Sequence, residues 1–391
     1  MRVAFHTPLK PIDHPIPSGD RAMARELVAL LRDLDCQVWL AARYRPGIAV
    51  LPPSSTQLEQ QRRGRNRARR IVARWRSLPF HHPERFELWV TYHLYYKKPD
   101  WVGPLVAQSL GIPYVVIEAS HAPKRRFTSW RVGHRAVELA LRQADLVLTL
   151  NPNDEACVRP LLRAPSRQQP LPPFLDTAPY VAARDGRETH RARLGAEFAL
   201  DLTTPWLLSV AMMRKGDKLS SFRLLAAALS QIANLQWQLI VVGDGECRSE
   251  VETLLAPLRE RVRFLGALPP QALPAIYAAA DLYVWPAINE AYGMTLLEAQ
   301  ASGLAVIAGR TGGVPAIVRD GASGVLVPVG DAVALAAALA RLLTSPQELA
   351  RLRAGASVYV AARHTRMAVG RRLRLLLRSV MSGLRNSPSL P

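Results

Sequence analysis

Two carboxylates stand eight residues apart in INEAYGMTLLEAQASG (288–303): Glu290 and Glu298, with Gly293 between them. Acids set in an apolar run move protons, read hydroxyls on a ligand, or cap a helix. Thr295 and Glu298 spell T-x-x-E, the pattern of a capping box, so the third role is open for Glu298. If one helix ran through both acids, they would lie about 12 Å apart along its axis and about 80° apart around it. A helix that starts at Gly293 leaves Glu290 in the loop before it. The two acids then face opposite ends of an extended ligand, unlike an acid and a base flanking one bond. Upstream, MMRKGDKLS (212–220) sets Arg214 and Lys218 just past an apolar run. Two cations there suit a diphosphate, which needs neutralising when it leaves. Gly19, Gly293, Gly312 and Gly313 sit in loops before helical segments, where backbone approaches phosphate; each serves equally as a plain turn.

These residues need a scaffold, and the apolar runs supply one. In the first half they are RVAFH (2–6), CQVWLA (36–41), LWVTY (88–92), YVVIEA (114–119) and LVLTL (146–150). In the second half they are WLLSVA (206–211), QLIVVG (238–243), VRFLG (262–266), LYVWP (282–286), AVIAG (305–309) and GVLVP (324–328). The runs are continuously apolar rather than alternating, which predicts strands buried on both faces and hence parallel sheets. Segments such as ARELVALLRDL (24–34) and SFRLLAAALSQI (221–232) carry one apolar stripe between them. Strand then helix, repeated twice over, predicts an α/β protein of two Rossmann-like domains facing across a cleft. The expected division is 1–182, 183–355 and a helical tail over 356–391 that crosses back to the N-terminal domain. The join at about 181–204 is polar, charged and without strand character. In open parallel sheets ligands bind beyond the carboxyl ends of the strands, and the glycines, cations and acids above all come after strands.

The 391 residues are too many for one ordinary core and suit two. Three cysteines, Cys36, Cys157 and Cys247, are odd in number and far apart. They exclude a disulfide framework or zinc spacing and point to a reducing compartment. MRVAFHTPLK reads as a strand and loop rather than a signal peptide, and no apolar run reaches membrane-spanning length, so a cytoplasmic location is expected. No His/Asp/Glu grouping of ligand spacing is apparent, so no metal is expected. The net charge is +20, and only six of the 51 basic residues are Lys. Residues 61–76, QRRGRNRARRIVARWR, hold eight Arg with Ile71, Val72 and Trp75 interleaved, and GRRLRLLLRSVMSGLR (370–385) is similar. Each is either a solvated basic helix face or a surface for anionic lipid on the inner face of a membrane. Nucleic acid is not expected, because no recognised binding motif accompanies the charge.

The stretch INEAYGMTLLEAQASGLAVIAGRTGGVPAIVRDGASGVLV (288–328) resembles the donor-binding core of retaining glycosyltransferases of family 4, which have the GT-B fold. E-x7-E is followed by small residues, a strand, a Gly-Gly-Val-Pro loop and a Gly-rich hairpin. VVGDGE, VRFLGALPPQALPAIYAAADLYVWP and the RKGDK region precede it in family order. The resemblance covers nearly the whole chain, strongly from about 205 to 345.

It implies transfer of a sugar from a nucleotide diphosphate sugar to an acceptor hydroxyl, with retained configuration and no cofactor. A membrane lipid or polysaccharide intermediate is the candidate acceptor. Residues 1–182 would bind the acceptor and 183–355 the donor. Glu290 would touch the donor sugar near its reacting carbon, and Glu298 the ribose hydroxyls. Backbone around Tyr292, Gly293, Met294 and Thr295 would cradle the sugar and diphosphate. Arg214 and Lys218 would hold the diphosphate, with Gly19 approaching it from the N-terminal domain. Backbone at Gly266 and Ala267 would meet the base, and His121 the acceptor hydroxyl. The register leaves Lys215 as a rival to Lys218, and Ser120 or Glu118 as rivals to His121. TYHLYYKKPDW (91–101) reads either as acceptor surface or as a helix packed on the sheet. Two other functions fit parts of the pattern. One is a nucleotide-sugar 2-epimerase of the same fold, acting without an acceptor. The other is a basic membrane- or nucleic-acid-binding protein with a vestigial transferase site.

Overall fold

The structure, a computed structural model, describes residues 1–9, 11–13, 18–41 and 54–385. It contains two compact units: residues 1–172 together with the last helix from Val369, and residues 173–368.

The first unit is built on β1 (Arg2–His6), α1 (Gly19–Asp33), β2 (Gln37–Leu40), α2 (Ser54–Ser77), β3 (Leu88–Leu94), α3 (Gly103–Leu110), β4 (Tyr114–Ala119), α4 (Arg131–Gln143), β5 (Leu146–Thr149), α5 (Glu155–Val158) and β6 (Gln168–Pro170). Its sheet runs β2-β1-β3-β4-β5-β6, all parallel. Ser18 caps α1 by accepting from the Arg21 amide at 3.2 Å, and Met23, Ala24, Leu27, Val28, Leu30 and Leu31 bury its inner face.

The second unit holds α6 (Ala178–Asp185), α7 (Arg187–Phe198), β7 (Trp206–Val210), α8 (Asp217–Gln231), β8 (Gln238–Val242), α9 (Arg248–Leu255), β9 (Val262–Gly266), α10 (Leu273–Ala279), β10 (Leu282–Trp285), α11 (Met294–Ala301), β11 (Ala305–Gly309), α12 (Val314–Ile317), β12 (Gly324–Val327), α13 (Ala332–Thr344) and α14 (Pro346–Arg363). Its sheet is β12-β11-β10-β7-β8-β9, again parallel. A final helix, α15 (Arg366–Arg385), starts in this unit and belongs to the first from Val369 onward. There Gly370 lies against Leu30 and Leu34, at the end of α1.

All eleven apolar runs are strands, and β1, β4, β9 and β11 match their sequence limits to the residue. The twelfth strand, β6, is three residues of Gln-Gln-Pro at a sheet edge, where neither length nor apolarity marks it. The charged join proves to be part of the second unit. Arg187 and Arg191 of α7 both pair with Asp281, at 2.5 and 2.9 Å, and donate to the Ala278 and Ala279 carbonyls that end α10. Charge read as linker character is spent on bracing α10 and β10, which moves the division to 172/173 from the expected 182/183. The far boundary falls at 368/369 rather than 355/356, because α14 packs on α11, α13 and β11.

α2 also differs from its reading. Ile71 is buried, and Val72 and Trp75 pack on the same core; the Trp75 indole donates to the Phe86 carbonyl at 2.9 Å. The apolar residues among the arginines therefore face the protein, and all eight arginines of 61–76 face solvent. The segment 91–101 is the end of β3 and a turn, not a helix.

Candidate functional site

Strand order reverses at one point in each sheet. In the second unit the chain leaves β7 toward β8 and β9, then returns to the other side of β7 with β10. The crevice beyond the carboxyl ends of two such strands is where α/β sheets bind ligands. Here the loops after β7 and β10 carry the residues singled out above. Lys218, at the start of α8, places Nζ 2.5 Å from Glu290 Oε2. Trp285 donates from its indole to the same oxygen at 3.3 Å, and its ring lies 5.2 Å from the ammonium. Lys215 and Arg214 are exposed, and the Lys215 backbone amide is held by Glu246 at 3.2 Å. The structure thus brings Lys218 to Glu290, and leaves the Arg214 side chain without an acidic partner among the described residues.

The loop that carries Glu290 is held in a costly shape. Ala287 and Asn289 have φ of 56° and 52°, left-handed values that cost of order 1–3 kcal/mol each in residues with a Cβ. The Ile288 amide bonds to Ser221 Oγ at 3.1 Å, and Asn289 donates to Asp217 at 2.9 Å, both on α8. From the other side Gly312 and Gly313 press in. A Cβ on Gly312 would stand 1.8 Å from the Glu290 carbonyl oxygen, and one on Gly313 2.3 Å from that of Ala291. These two glycines serve the approach of one loop to another and so fix Glu290.

Gly293, at φ 71°, is the N-cap of α11 and has no side-chain cap bond. Met294 and Thr295 are the first two residues of that helix, so Thr295 is not the cap and the capping-box pattern is not used. Thr295 Oγ1 instead meets the Tyr283 hydroxyl at 2.8 Å. Glu298 accepts from the Tyr277 hydroxyl at 2.8 Å, and burial lifts its carboxyl to about 7. Tyr292 is buried against this turn. Gly266, at φ 68°, ends β9, and the nearest side chain to its missing Cβ is Arg248, at 3.9 Å; Ala267 comes next in the loop. No protein atom among the described residues lies within 4 Å of a Cβ on Gly19, and its φ is not left-handed, so nothing among the described residues requires glycine there.

The first unit has its own switch point, between β1 and β3. His121 is not at it. His121 lies with His134 and Glu138 of α4, their ligand atoms within 4.8 Å of one another. Burial lowers the His121 pKa, and His134 adds to the effect. This is a grouping the spacing did not reveal, because one member comes from a strand-end loop and two from one helix face. Arg135 and Arg126 approach the Glu138 carboxylate at 3.1 and 3.9 Å and neutralise it, which disfavours a further cation.

At the carboxyl ends of β3 and β4 stand His93 and Glu118, opposite each other in register between the pairs Tyr92–Ile117 and Leu94–Ala119. Glu118 is the acid inside an otherwise apolar strand, and that is the signal the sequence offered; His93 carried none. Asp100 nearby, by contrast, is buried with both oxygens satisfied, by the Val102 and Gly103 amides and by the Thr91 and Tyr114 hydroxyls, and is structural.

Residues 204–345 match the family described as glycosyl transferases group 1. A D-inositol 3-phosphate glycosyltransferase of Salinispora tropica is 39% identical over 208 residues, 49% of this chain and 42% of that protein. One of Corynebacterium diphtheriae is 48% identical over 86 residues, 22% of this chain and 20% of its own. The match therefore spans less than half the length of these curated relatives. Sucrose-phosphate synthase of Thermosynechococcus elongatus shares the fold over 98% of this chain and 99% of its own, with TM-score 0.70 and 22% identity. Anabaena HepE, solved with UDP-glucose, does so over 97% and 100%, with TM-score 0.70 and 18% identity. The two parallel-sheet units are those of the GT-B fold, and residues 204–345 match the group 1 glycosyl transferase family.

Proposed function

We propose that the protein transfers a sugar from a nucleotide diphosphate sugar to an acceptor hydroxyl, with the anomeric configuration retained. The observation that carries this reading is the Lys218–Glu290 pair at the β7/β10 switch point, with Glu298 in the second turn of the helix after it. The leaving diphosphate gains charge as the glycosidic bond breaks. Lys218 and Arg214 offset that charge, and the first amides of α11, at Met294 and Thr295, add the positive end of a helix. Glu290 then faces the donor sugar, and Glu298 accepts from the ribose hydroxyls. Backbone at Gly266 and Ala267 borders the base, with Arg248 alongside.

In this reading no metal takes part, since the two cations do its work on the diphosphate, and activity survives a chelator. UDP-sugars are the first donors to test, because HepE was solved with UDP-glucose. A cyclitol or sugar is the first acceptor class, because the curated relatives are named for an inositol phosphate. The test is transfer of label from a panel of UDP- and GDP-sugars by the wild type and by Lys218→Ala and Glu290→Ala. Loss of transfer in both folded variants supports the reading; unchanged turnover in either contradicts its assignment. Release of free sugar isomer without an acceptor would favour the epimerase.

A membrane-bound acceptor is supported only by charge. The exposed face of α2 is basic, and its apolar residues are engaged inside the unit, so any attachment is electrostatic and weakens with salt.

A further inference from the structure

We infer that Arg184 and Arg353, backed by Arg187, form a second anion site within the second unit, on the sheet edge opposite the β7/β10 crevice, and that it takes a phosphate dianion. The site lies inside one unit and does not depend on the transferase reading.

Its place follows from the chain. Asp281 and Gly303 come just before β10 and β11, so both lie at the amino ends of the strands, away from the crevice. Guanidiniums gather there from α6 (Arg184), α7 (Arg187 and Arg191) and α14 (Arg353). Arg353 donates from Nε to the Gly303 carbonyl at 3.1 Å. Arg184 donates from Nη1 to Ser357 Oγ at 3.3 Å. A Cβ on Gly303 would stand 3.2 Å from Arg184 Cδ and 3.4 Å from Ser357 Oγ. Gly303, at φ 79°, is therefore the floor around which the two arginines and the serine stand.

Charge carries the inference. Among the described residues, Asp281 is the one carboxylate paired with any of these four arginines, and it takes Arg187 and Arg191. The surplus is three positive charges. The carboxyl ends of α10 and α11 point carbonyls at the group, each worth about half a negative charge, which leaves about two. A phosphate dianion matches that surplus, and a monocarboxylate falls short of it.

The donors are divided between structure and ligand. Arg187 and Arg191 are occupied by Asp281 and by backbone carbonyls that include Ala278 and Ala279. Capping the end of α11 accounts for the Arg353 Nε bond alone. The two terminal nitrogens of Arg353 have no acceptor among the described residues, and neither do Nε and Nη2 of Arg184. Burial, and then the neighbouring Arg187, lower the Arg353 pKa, as expected of a guanidinium whose charge is under-compensated. Arg353 is half-buried and Arg184 exposed, so the pair is reachable from solvent. A guanidinium presents parallel N–H donors that match two phosphate oxygens, and two such groups with the Ser357 hydroxyl beside them suit one phosphate.

The experiment titrates inorganic phosphate, glycerol 3-phosphate and acetate into the full chain by calorimetry, at low salt and about pH 8, where phosphate is mostly dianionic. It compares the wild type with Arg184→Gln, Arg353→Gln, Arg353→Lys, Lys218→Ala and Arg69→Gln, the last an exposed arginine of α2 in the first unit. Arg184→Gln and Arg353→Gln are each expected to weaken phosphate binding about tenfold, and Arg353→Lys to recover part of the loss. Lys218→Ala and Arg69→Gln should keep this binding within twofold. Tighter binding of glycerol 3-phosphate assigns an ester and tighter binding of inorganic phosphate the free ion; either upholds the site. A wild type that binds neither phosphate compound overturns the inference. So does equal weakening by Arg184→Gln and Arg69→Gln, which would show that only net charge is read. Acetate that binds as tightly as phosphate overturns the dianion. Should the Arg353 variants fail to fold, Arg184→Gln decides alone, since that exposed side chain has one bond, to Ser357, among the described residues.

Discussion

The two units share one plan and use it with opposite chemistry. Each is a six-stranded parallel sheet with one reversal of strand order, and each bends non-glycine residues into left-handed backbone beside that reversal. In the second unit the bent loop presents Glu290 to a lysine and a tryptophan, beside glycines and the start of α11. In the first, the bent row presents an acid to an imidazole, among further acids. One row carries an ammonium beside a carboxylate, and the other carries an imidazole among carboxyls. Even the raised carboxyls differ. Glu298 is lifted by burial with one neutral phenol as partner, whereas Glu118 is lifted by burial against a neighbouring His93. The same fold thus places opposite charge environments at the strand ends of its two units.

The largest effect that tests this contrast is expected at Lys218. Lys218→Ala removes the cation the phosphate-seeking unit depends on, and should cut transfer by about 100- to 1,000-fold, roughly 3–4 kcal/mol of transition-state stabilisation. Steady-state kinetics on the folded variant measures it, and a loss under threefold would break the contrast.

Next is the titration of Glu298. Its folded pKa, about 7, lies above the ordinary 4.5, so its stabilising contribution is full below 4.5 and is lost as pH rises through 7. Glu298→Gln should therefore leave stability unchanged at pH 4.5 and raise it at pH 8. The gain is at most about 3 kcal/mol, less the share that partial exposure screens. Glu118→Gln should gain less, because it also takes a partner from His93. Urea unfolding at the two pH values separates the cases, and equal gains would show that the two carboxyls are alike.

Gly312→Ala comes third. A Cβ there would collide with the Glu290 carbonyl from a backbone at φ 53°. It should cost about 2 kcal/mol of stability and weaken nucleotide binding with it. Gly321→Ala, also at positive φ but with no atom within 4 Å, should leave binding intact; equal losses of binding would show that backbone strain rather than the collision matters. The smallest effect concerns α2. Cosedimentation with anionic vesicles should fall as salt rises from about 50 to about 300 mM, and binding insensitive to salt would contradict a purely basic face.

Legibility in the sequence tracked how local each feature is. Buried parallel strands write themselves as apolar runs, so eleven of twelve were legible, and β6, short and polar, was not. The Glu290 loop was legible because glycine and charge cluster in one contiguous stretch, with Gly293 placed as the start of α11. Partners brought from other strands were not: Trp285 under Lys218, Tyr277 on Glu298, and His93 beside Glu118 depend on register and packing. Arginines at 187 and 191 looked like linker because their targets lie about ninety residues away. His121 and Glu118 are three residues apart, too close for spacing to distinguish, and the structure sends them to different neighbours, α4 and β3.

The central claim is that the β7/β10 crevice holds a nucleoside diphosphate through Lys218. Isothermal titration of UDP and GDP into the wild type and Lys218→Ala tests it without regard to acceptor or sugar. The account predicts one-to-one binding of at least one nucleotide by the wild type and at least tenfold weaker binding by the variant. Equal affinity in both proteins, or no binding of either nucleotide to the wild type, would contradict it.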